Sequence, residues 1–168
     1  VSPNVICVGG TTVRKDPLTG QTITPSGIQS AEVAWNSGGG GVSAYFSKPT
    51  YQISNTSALA NREVPDIALA ADPMTGAWVY YTNSSTKAAG WYVIGGTSWS
   101  SPTFAGILNN KSAGFALNSA IELNRLYINK NTFTDVQNGW CGALYSLNAS
   151  LGWDNCSGLG IPNSNFAP

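Results

Sequence analysis

Histidine is missing altogether from the 168 residues. That absence removes any Ser-His-Asp or Cys-His catalytic machinery completed within the chain. It also removes His-ligated zinc, copper or haem. Charge is scarce too: 8 basic and 8 acidic residues cancel, and only 10% of the chain is charged. So few Lys and Arg leave no basic footprint for nucleic acid, and 42% hydrophobic residues suit a packed domain rather than a disordered chain. No apolar run approaches the length that spans a membrane. Hydrolytic chemistry must therefore rest on carboxylates, a metal, or residues supplied from elsewhere.

Cysteine is sparse and odd in number: Cys7, Cys141 and Cys156. Cys141 and Cys156 flank a Gly- and Asn-rich stretch and are the better candidates for a bridge. A bridge closing so short a loop stabilises by about 3 kcal/mol. Cys7 lies in the apolar run Val5-Ile6-Cys7-Val8, which favours a buried small hydrophobe over an interchain disulfide. Five Asn-x-Ser/Thr sequons, at Asn55, Asn83, Asn110, Asn148 and Asn155, lean toward the secretory pathway. The chain begins at Val1 rather than Met and carries no signal-peptide pattern, so it reads as a processed or excised piece of about one domain.

Residues 4–8 form a short apolar run ended by Gly9-Gly10, which predicts a buried strand. Residues 15–30 read as a surface excursion, and residues 32–35 as a further strand. Gly38, Gly39, Gly40 and Gly41 leave the backbone bare, for a close approach by another segment or for a flexible loop. Residues 66–70 and 77–82 predict two strands joined by the turn Asp72-Pro73-Met74-Thr75-Gly76. Residues 90–94 predict another. A helix follows from about Ser98 to Asn109, with Pro102 in its first turn and an apolar face of Ala105, Ile107 and Leu108. A second helix is predicted from about Leu117 to Ile128, with Leu117, Ala120, Ile121, Tyr127 and Ile128 near one stripe. Strands alternating with helices indicate an α/β fold.

The most informative stretch is Gly95-Gly96-Thr97-Ser98-Trp99-Ser100-Ser101-Pro102. A strand ends in glycines and a serine follows at the mouth of a helix. Glycines let a substrate approach the backbone, and a helix N-terminus offers free N–H groups and positive potential for an oxyanion. A plain N-cap serine after a glycine turn has the same local pattern. Trp99 packs either under a cleft or in the core, and the core is favoured.

The string Gly95-Gly96-Thr97-Ser98 with Pro102 resembles the nucleophile motif of the sedolisin family of serine-carboxyl peptidases. Four further stretches resemble that family in the same order. They are Ser2-Pro3-Asn4-Val5-Ile6 with Val8-Gly9-Gly10-Thr11-Thr12; Gly39-Gly40-Gly41 through Ser47-Lys48-Pro49; Val64-Pro65-Asp66-Ile67 with Ala71-Asp72-Pro73 and Thr75-Gly76; and Gly152-Trp153-Asp154 with Ser157-Gly158-Leu159-Gly160. The resemblance implies an α/β, subtilisin-like parallel sheet flanked by helices. Residues 1–168 would be its C-terminal half, including a calcium loop at about 133–160, completed by a partner chain.

The resemblance also implies a Ser-Glu-Asp triad with Ser98 as nucleophile. A carboxylate base works only in acid, where its pKa of about 4 lies. The family's catalytic Glu and Asp, and the Asp that donates to the oxyanion, lie upstream of anything in this chain. Asp66 and Asp72 match structural signatures instead. The expectation is an acid endopeptidase of two chains, in a secreted or lysosome-like compartment, with a heavier N-terminal chain supplying the acids. Physarolisin-like members are the candidate subgroup. The competing expectation is a non-catalytic, calcium-stabilised binding module that retains half of the fold.

Asp135 and Asp154 stand nineteen residues apart around a Gly-rich loop, a weak signal by itself. The resemblance implies one calcium ion held by Asp135, the Val136 carbonyl, Ser150, Gly152 and Asp154. Ser150 stands where the family usually has Gly, so its backbone must reach the required angles. It also completes the Asn148 sequon.

Overall fold

The computed structural model describes residues 2–16, 18–23, 30–110, 118–143 and 146–166. In chain order its strands and helices are β1 (Val8–Val13), β2 (Glu32–Ala34), β3 (Gly41–Ser47), β4 (Asn61–Val64), β5 (Ile67–Ala70), β6 (Ala77–Thr82), β7 (Ala89–Ile94), α1 (Thr97–Asn109), α2 (Ser119–Ile128), β8 (Phe133–Thr134), β9 (Trp140–Cys141), β10 (Leu147–Asn148) and β11 (Ile161–Pro162). The central sheet has the order β2-β1-β5, with β1 parallel to β5 and antiparallel to β2. Helix α1 packs on β1 and β5. The other pairs are β3–β4, β6–β7, β8–β11 and β9–β10, all antiparallel.

Strand β1 departs from expectation. It begins at Val8 and runs through Gly9 and Gly10 instead of ending there. Both glycines are needed for packing. A Cβ on Gly10 would lie 2.6 Å from the Ala71 Cβ, and one on Gly9 2.8 Å from the Cys156 carbonyl oxygen. Gly40 resolves the glycine run in favour of close approach, because a Cβ there would overlap the Asn155 carbonyl.

The core joins Ile67 of β5 to Phe104 of α1 and to Leu123, Leu126 and Tyr127 of α2, with Tyr51, Phe133 and Leu159 around them. The buried stripe of α2 is thus 123, 126 and 127, while Ile121 and Ile128 face outward at 42% and 70% exposure. Either stripe satisfies helical spacing, and the packing partner decides between them. Asn118 caps α2, its side chain accepting from the Ile121 N–H. Leu117 lies outside the described residues. On α1 the buried residues are Ser100 and Phe104, and the predicted face is shifted, with Ala105 exposed.

A polar cluster crosses this core. Arg62 and Asp66, both fully buried, pair at 2.6 Å. Asp66 also accepts from the Cys7 N–H at 2.8 Å and the Tyr127 hydroxyl at 2.9 Å. Gln52 donates to the Tyr127 hydroxyl and to the Glu63 carbonyl, and Glu63 pairs with Lys48 at 2.8 Å. Burial pushes the Tyr51 hydroxyl up to about 12.

Candidate functional site

Gly95 and Gly96 shape the turn between β7 and α1. Gly95 passes so close to the segment after β5 that a Cβ would lie 2.5 Å from the Ala71 carbonyl oxygen and 2.6 Å from the Pro73 nitrogen. Gly96 takes φ +90°, a region that L side chains rarely adopt, and donates its N–H to the Ala71 carbonyl at 2.5 Å. Two glycines are therefore what this chain path demands.

Helix α1 opens at Thr97, so Ser98 is its second residue, and Ser98 is exposed. Its Oγ makes no hydrogen bond among the described residues. Its N–H lies in the first turn, where no intrahelical acceptor exists. A free hydroxyl beside unpaired N–H groups and the positive helix end is the arrangement a nucleophile and its oxyanion require. Ser100 is the contrast: fully buried, its Oγ reaches the Ala70 carbonyl at 2.9 Å and ties α1 to β5. Trp99 is half-buried and outside the core cluster. Pro102 belongs to the second turn of α1 rather than the first, because the helix starts at Thr97. Lacking an N–H, it leaves the Ser98 carbonyl without its i+4 donor.

None of the chain's 8 carboxylates hydrogen-bonds to Ser98. Asp16 accepts from the N–H groups of Leu18 and Thr19 in an exposed turn. Glu32 accepts from the Thr11 hydroxyl, and burial raises its carboxyl above the usual range. Glu63 and Asp66 belong to the core cluster, and Glu122 pairs with Arg125 at 3.3 Å. Asp72 lies nearest in sequence to the segment beneath Gly95, but both its oxygens are used: Oδ1 caps the Met74 N–H and Oδ2 accepts from Thr12. Asp66 and Asp72 thus fix turns and strands, as their signatures imply. Beyond Asp72 an open pocket of about 540 Å³ is lined by Thr12, Arg14, Asn36 and Trp140.

The calcium candidates gather around residues 150–152. Asp154 Oδ2 accepts from the Ser150 N–H at 3.0 Å, and Asp135 Oδ2 from the Gly152 N–H at 2.8 Å. Asp154 Oδ1 also accepts from the Cys156 and Ser157 N–H groups. Asp135 Oδ1 is buried and has no partner. The carbonyls of Val136, Ser150 and Gly152 accept no hydrogen bond among the described residues. An orphaned buried carboxylate oxygen beside free carbonyls suits a hard, oxygen-seeking cation. Among the described residues no three Asp, Glu or Cys side chains cluster, so carbonyls would have to complete any such site. Ser150 keeps φ negative while Gly152 takes +83°, so the serine is accommodated without strain.

Cys141 and Cys156 form the disulfide, with Cα atoms 5.6 Å apart. Cys7 is a free, half-buried thiol whose pKa burial raises, which disfavours the reactive thiolate. The sequons differ in availability. Asn55 and Asn155 spend their amide N–H groups on the carbonyls of Tyr51 and Val64. Asn110 and Asn148 are exposed, and Asn83 sits at the β6–β7 turn, where its Oδ1 caps Ser85 and Thr86.

The sequence missed the roles of Arg62 and Ser100. A buried arginine on a strand has no periodic signal. Ser100, two residues after Ser98, is told apart from it only by the helix register.

A parallel strand pair carrying a helix, whose first turn follows a Gly-Gly approach and exposes a serine, forms part of a subtilisin-like α/β fold. Comparison with known proteins agrees. No profile of a known protein family matches the chain. It is 35% identical over 178 aligned positions to sedolisin of Pseudomonas sp. (strain 101), covering 95% of this chain and 27% of that protein. It is 31% identical to kumamolisin of Bacillus sp. (strain MN-32), covering 96% of this chain and 30% of the relative. It is 34% identical to xanthomonalisin of Xanthomonas sp. (strain T-22), covering 95% and 20%. Among solved structures it matches Pseudomonas sedolisin, a serine-carboxyl proteinase complexed with two molecules of pseudo-iodotyrostatin. That match has a TM-score of 0.68 at 32% identity and covers 96% of this chain and 44% of that one. The chain belongs to the sedolisin family and corresponds to the C-terminal part of its longer members. It spans between a fifth and a third of the length of these curated relatives.

Proposed function

We propose that the chain is the nucleophile-bearing part of an acid-acting serine-carboxyl endopeptidase. In this reading Ser98 Oγ attacks the scissile carbonyl of a peptide. Its proton passes to a carboxylate of the Glu/Asp pair carried by an N-terminal chain or region of the same precursor. The C–N bond of the tetrahedral adduct then breaks, the amine leaves with that proton, and water hydrolyses the resulting ester. The Ser98 N–H, together with a protonated upstream Asp, faces the oxyanion. The oxyanion Asp must carry its proton to donate, which confines the activity to acid.

The observation that carries this reading is the pairing of an exposed, unengaged Ser98 hydroxyl with carboxylates that are all employed elsewhere. A purely structural N-cap serine would bond its own helix, as Asn118 does on α2. One calcium ion, held by Asp135 and Asp154 and the carbonyls of Val136, Ser150 and Gly152, would stiffen the loop that the Cys141–Cys156 bridge staples. The bridge and the exposed Asn110 and Asn148 sequons support a secreted or lysosome-like location.

The test is covalent labelling by an aldehyde peptide inhibitor at acidic pH, using the enzyme isolated together with its upstream part. Labelling should fall on Ser98 and vanish in Ser98→Ala. A 17.5 kDa species that is fully active with no second polypeptide would refute the division of catalytic groups.

A further inference from the structure

The β6–β7 hairpin stands apart from the rest of the molecule. Each of its strands pairs only with the other among the described residues. The register puts Trp78 opposite Val93 and Tyr80 opposite Trp91, so these four side chains share one face. That face is exposed throughout: Trp78 67%, Tyr80 56%, Trp91 63% and Val93 42%. Tyr80 and Trp91 meet edge to face with ring centroids 5.4 Å apart. The opposite face is half-buried at Ala77 and Val79, near its base, while Tyr81, Tyr92 and Ile94 on it are exposed at 53%, 51% and 39%. Neither strand carries a charged residue. The last strand residue, Ile94, directly precedes the Gly95-Gly96-Thr97-Ser98 turn.

An isolated two-stranded hairpin is marginal in water, and an uncharged patch rich in Trp and Tyr has the composition of a buried interface centre. We propose that the Trp78–Tyr80–Trp91–Val93 face is the seat of the upstream half of the catalytic domain, and that docking there fixes the path of β7 into the nucleophile turn. The occupant follows from length. The solved relative is more than twice as long as the part matched here, so a large upstream body has to be placed against this part. The inference rests on the proposed function and deepens it: the surface that binds the acid-bearing half is the strand pair that delivers Ser98. Seating and catalysis are then coupled, because a shift of β7 moves the nucleophile.

The test is hydroxyl-radical footprinting of the enzyme isolated with its upstream half, read at Trp78 and Trp91. Tyr45, 91% exposed, serves as the reference. Both tryptophans should oxidise several-fold more slowly than Tyr45, although indole is the more reactive ring. Oxidation as fast as that of Tyr45 overturns the proposal. So does protection in a particle that contains only copies of this chain, because a second copy would then be the occupant. Trp91→Asp should release the upstream half on gel filtration, whereas Ser98→Ala should retain it. Peptidase activity measured on the same samples separates the two readings. Exposed tryptophans with activity intact overturn the docking face alone, and protected tryptophans without activity overturn the Ser98 reading alone.

Discussion

Asp66 sits in the signature Val64-Pro65-Asp66, and the structure makes it the acceptor on which a buried cluster depends. Replacing it with Ala removes three bonds at once: those from Arg62 at 2.6 Å, the Cys7 N–H at 2.8 Å and the Tyr127 hydroxyl at 2.9 Å. Arg62 has no exposed surface, and its Nε already lacks a partner. Leaving one member of a buried pair unpaired costs about 3–5 kcal/mol. Each orphaned neutral donor adds about 1–3 kcal/mol unless water reaches it. Asp66→Ala should therefore remove at least about 4 kcal/mol, a large part of the roughly 5–15 kcal/mol that holds a domain folded. The double variant Arg62→Met with Asp66→Leu should recover much of that loss, since it leaves no charge behind. Urea unfolding of the complete enzyme, followed by tryptophan fluorescence, reads both variants. Asp66→Asn, measured alongside, should keep the activity per folded molecule close to wild type. Asp66→Ala within about 1 kcal/mol of wild type would show that Arg62 finds water or another acceptor. A large fall in the activity of folded Asp66→Asn would put Asp66 in the chemistry.

Three further outcomes are expected. Burial holds the Glu32 carboxyl above its usual range, the Thr11 hydrogen bond opposing it, so the fold favours the protonated acid. Its contribution is complete below the unfolded Glu pKa of about 4.3 and is lost as pH rises through the folded value. Glu32→Gln should flatten the acid-favouring arm of the Tm–pH curve and raise Tm near neutrality, and a curve parallel to wild type would refute this. Replacing both Cys141 and Cys156 with Ser opens a bridge across 15 residues and should cost about 3 kcal/mol in urea unfolding, with a change under about 1 kcal/mol counting against it. A chelator should lower Tm, and Asp135→Asn should abolish that response; metal analysis finding no calcium, with Tm unmoved by chelator, would remove the ion.

What was legible in the sequence was chiefly what glycine and proline enforce locally. Gly95 and Gly96 announce a close approach and a φ no other residue takes comfortably, and the structure uses both. Asp72-Pro73 and Gly76 bracket a turn that forms as its chemistry predicts. The errors arise where two arrangements satisfy the same local rule. Gly9-Gly10 reads as a strand end because glycine weakens strands, yet a strand keeps glycine where an added Cβ would collide with neighbouring segments, here the Cys156 carbonyl and the Ala71 side chain. Helix α2 carries apolar residues on more than one side, so spacing alone cannot say that 123, 126 and 127 are covered while 121 and 128 are not. That surplus is informative in its own right. Ile121, Ile128, Trp78 and Trp91 stay exposed, with no cover from the described residues. On the proposed function, the exposed apolar side chains and the acids employed elsewhere call for the same thing: one upstream body supplying both the catalytic carboxylates and the hydrophobic cover.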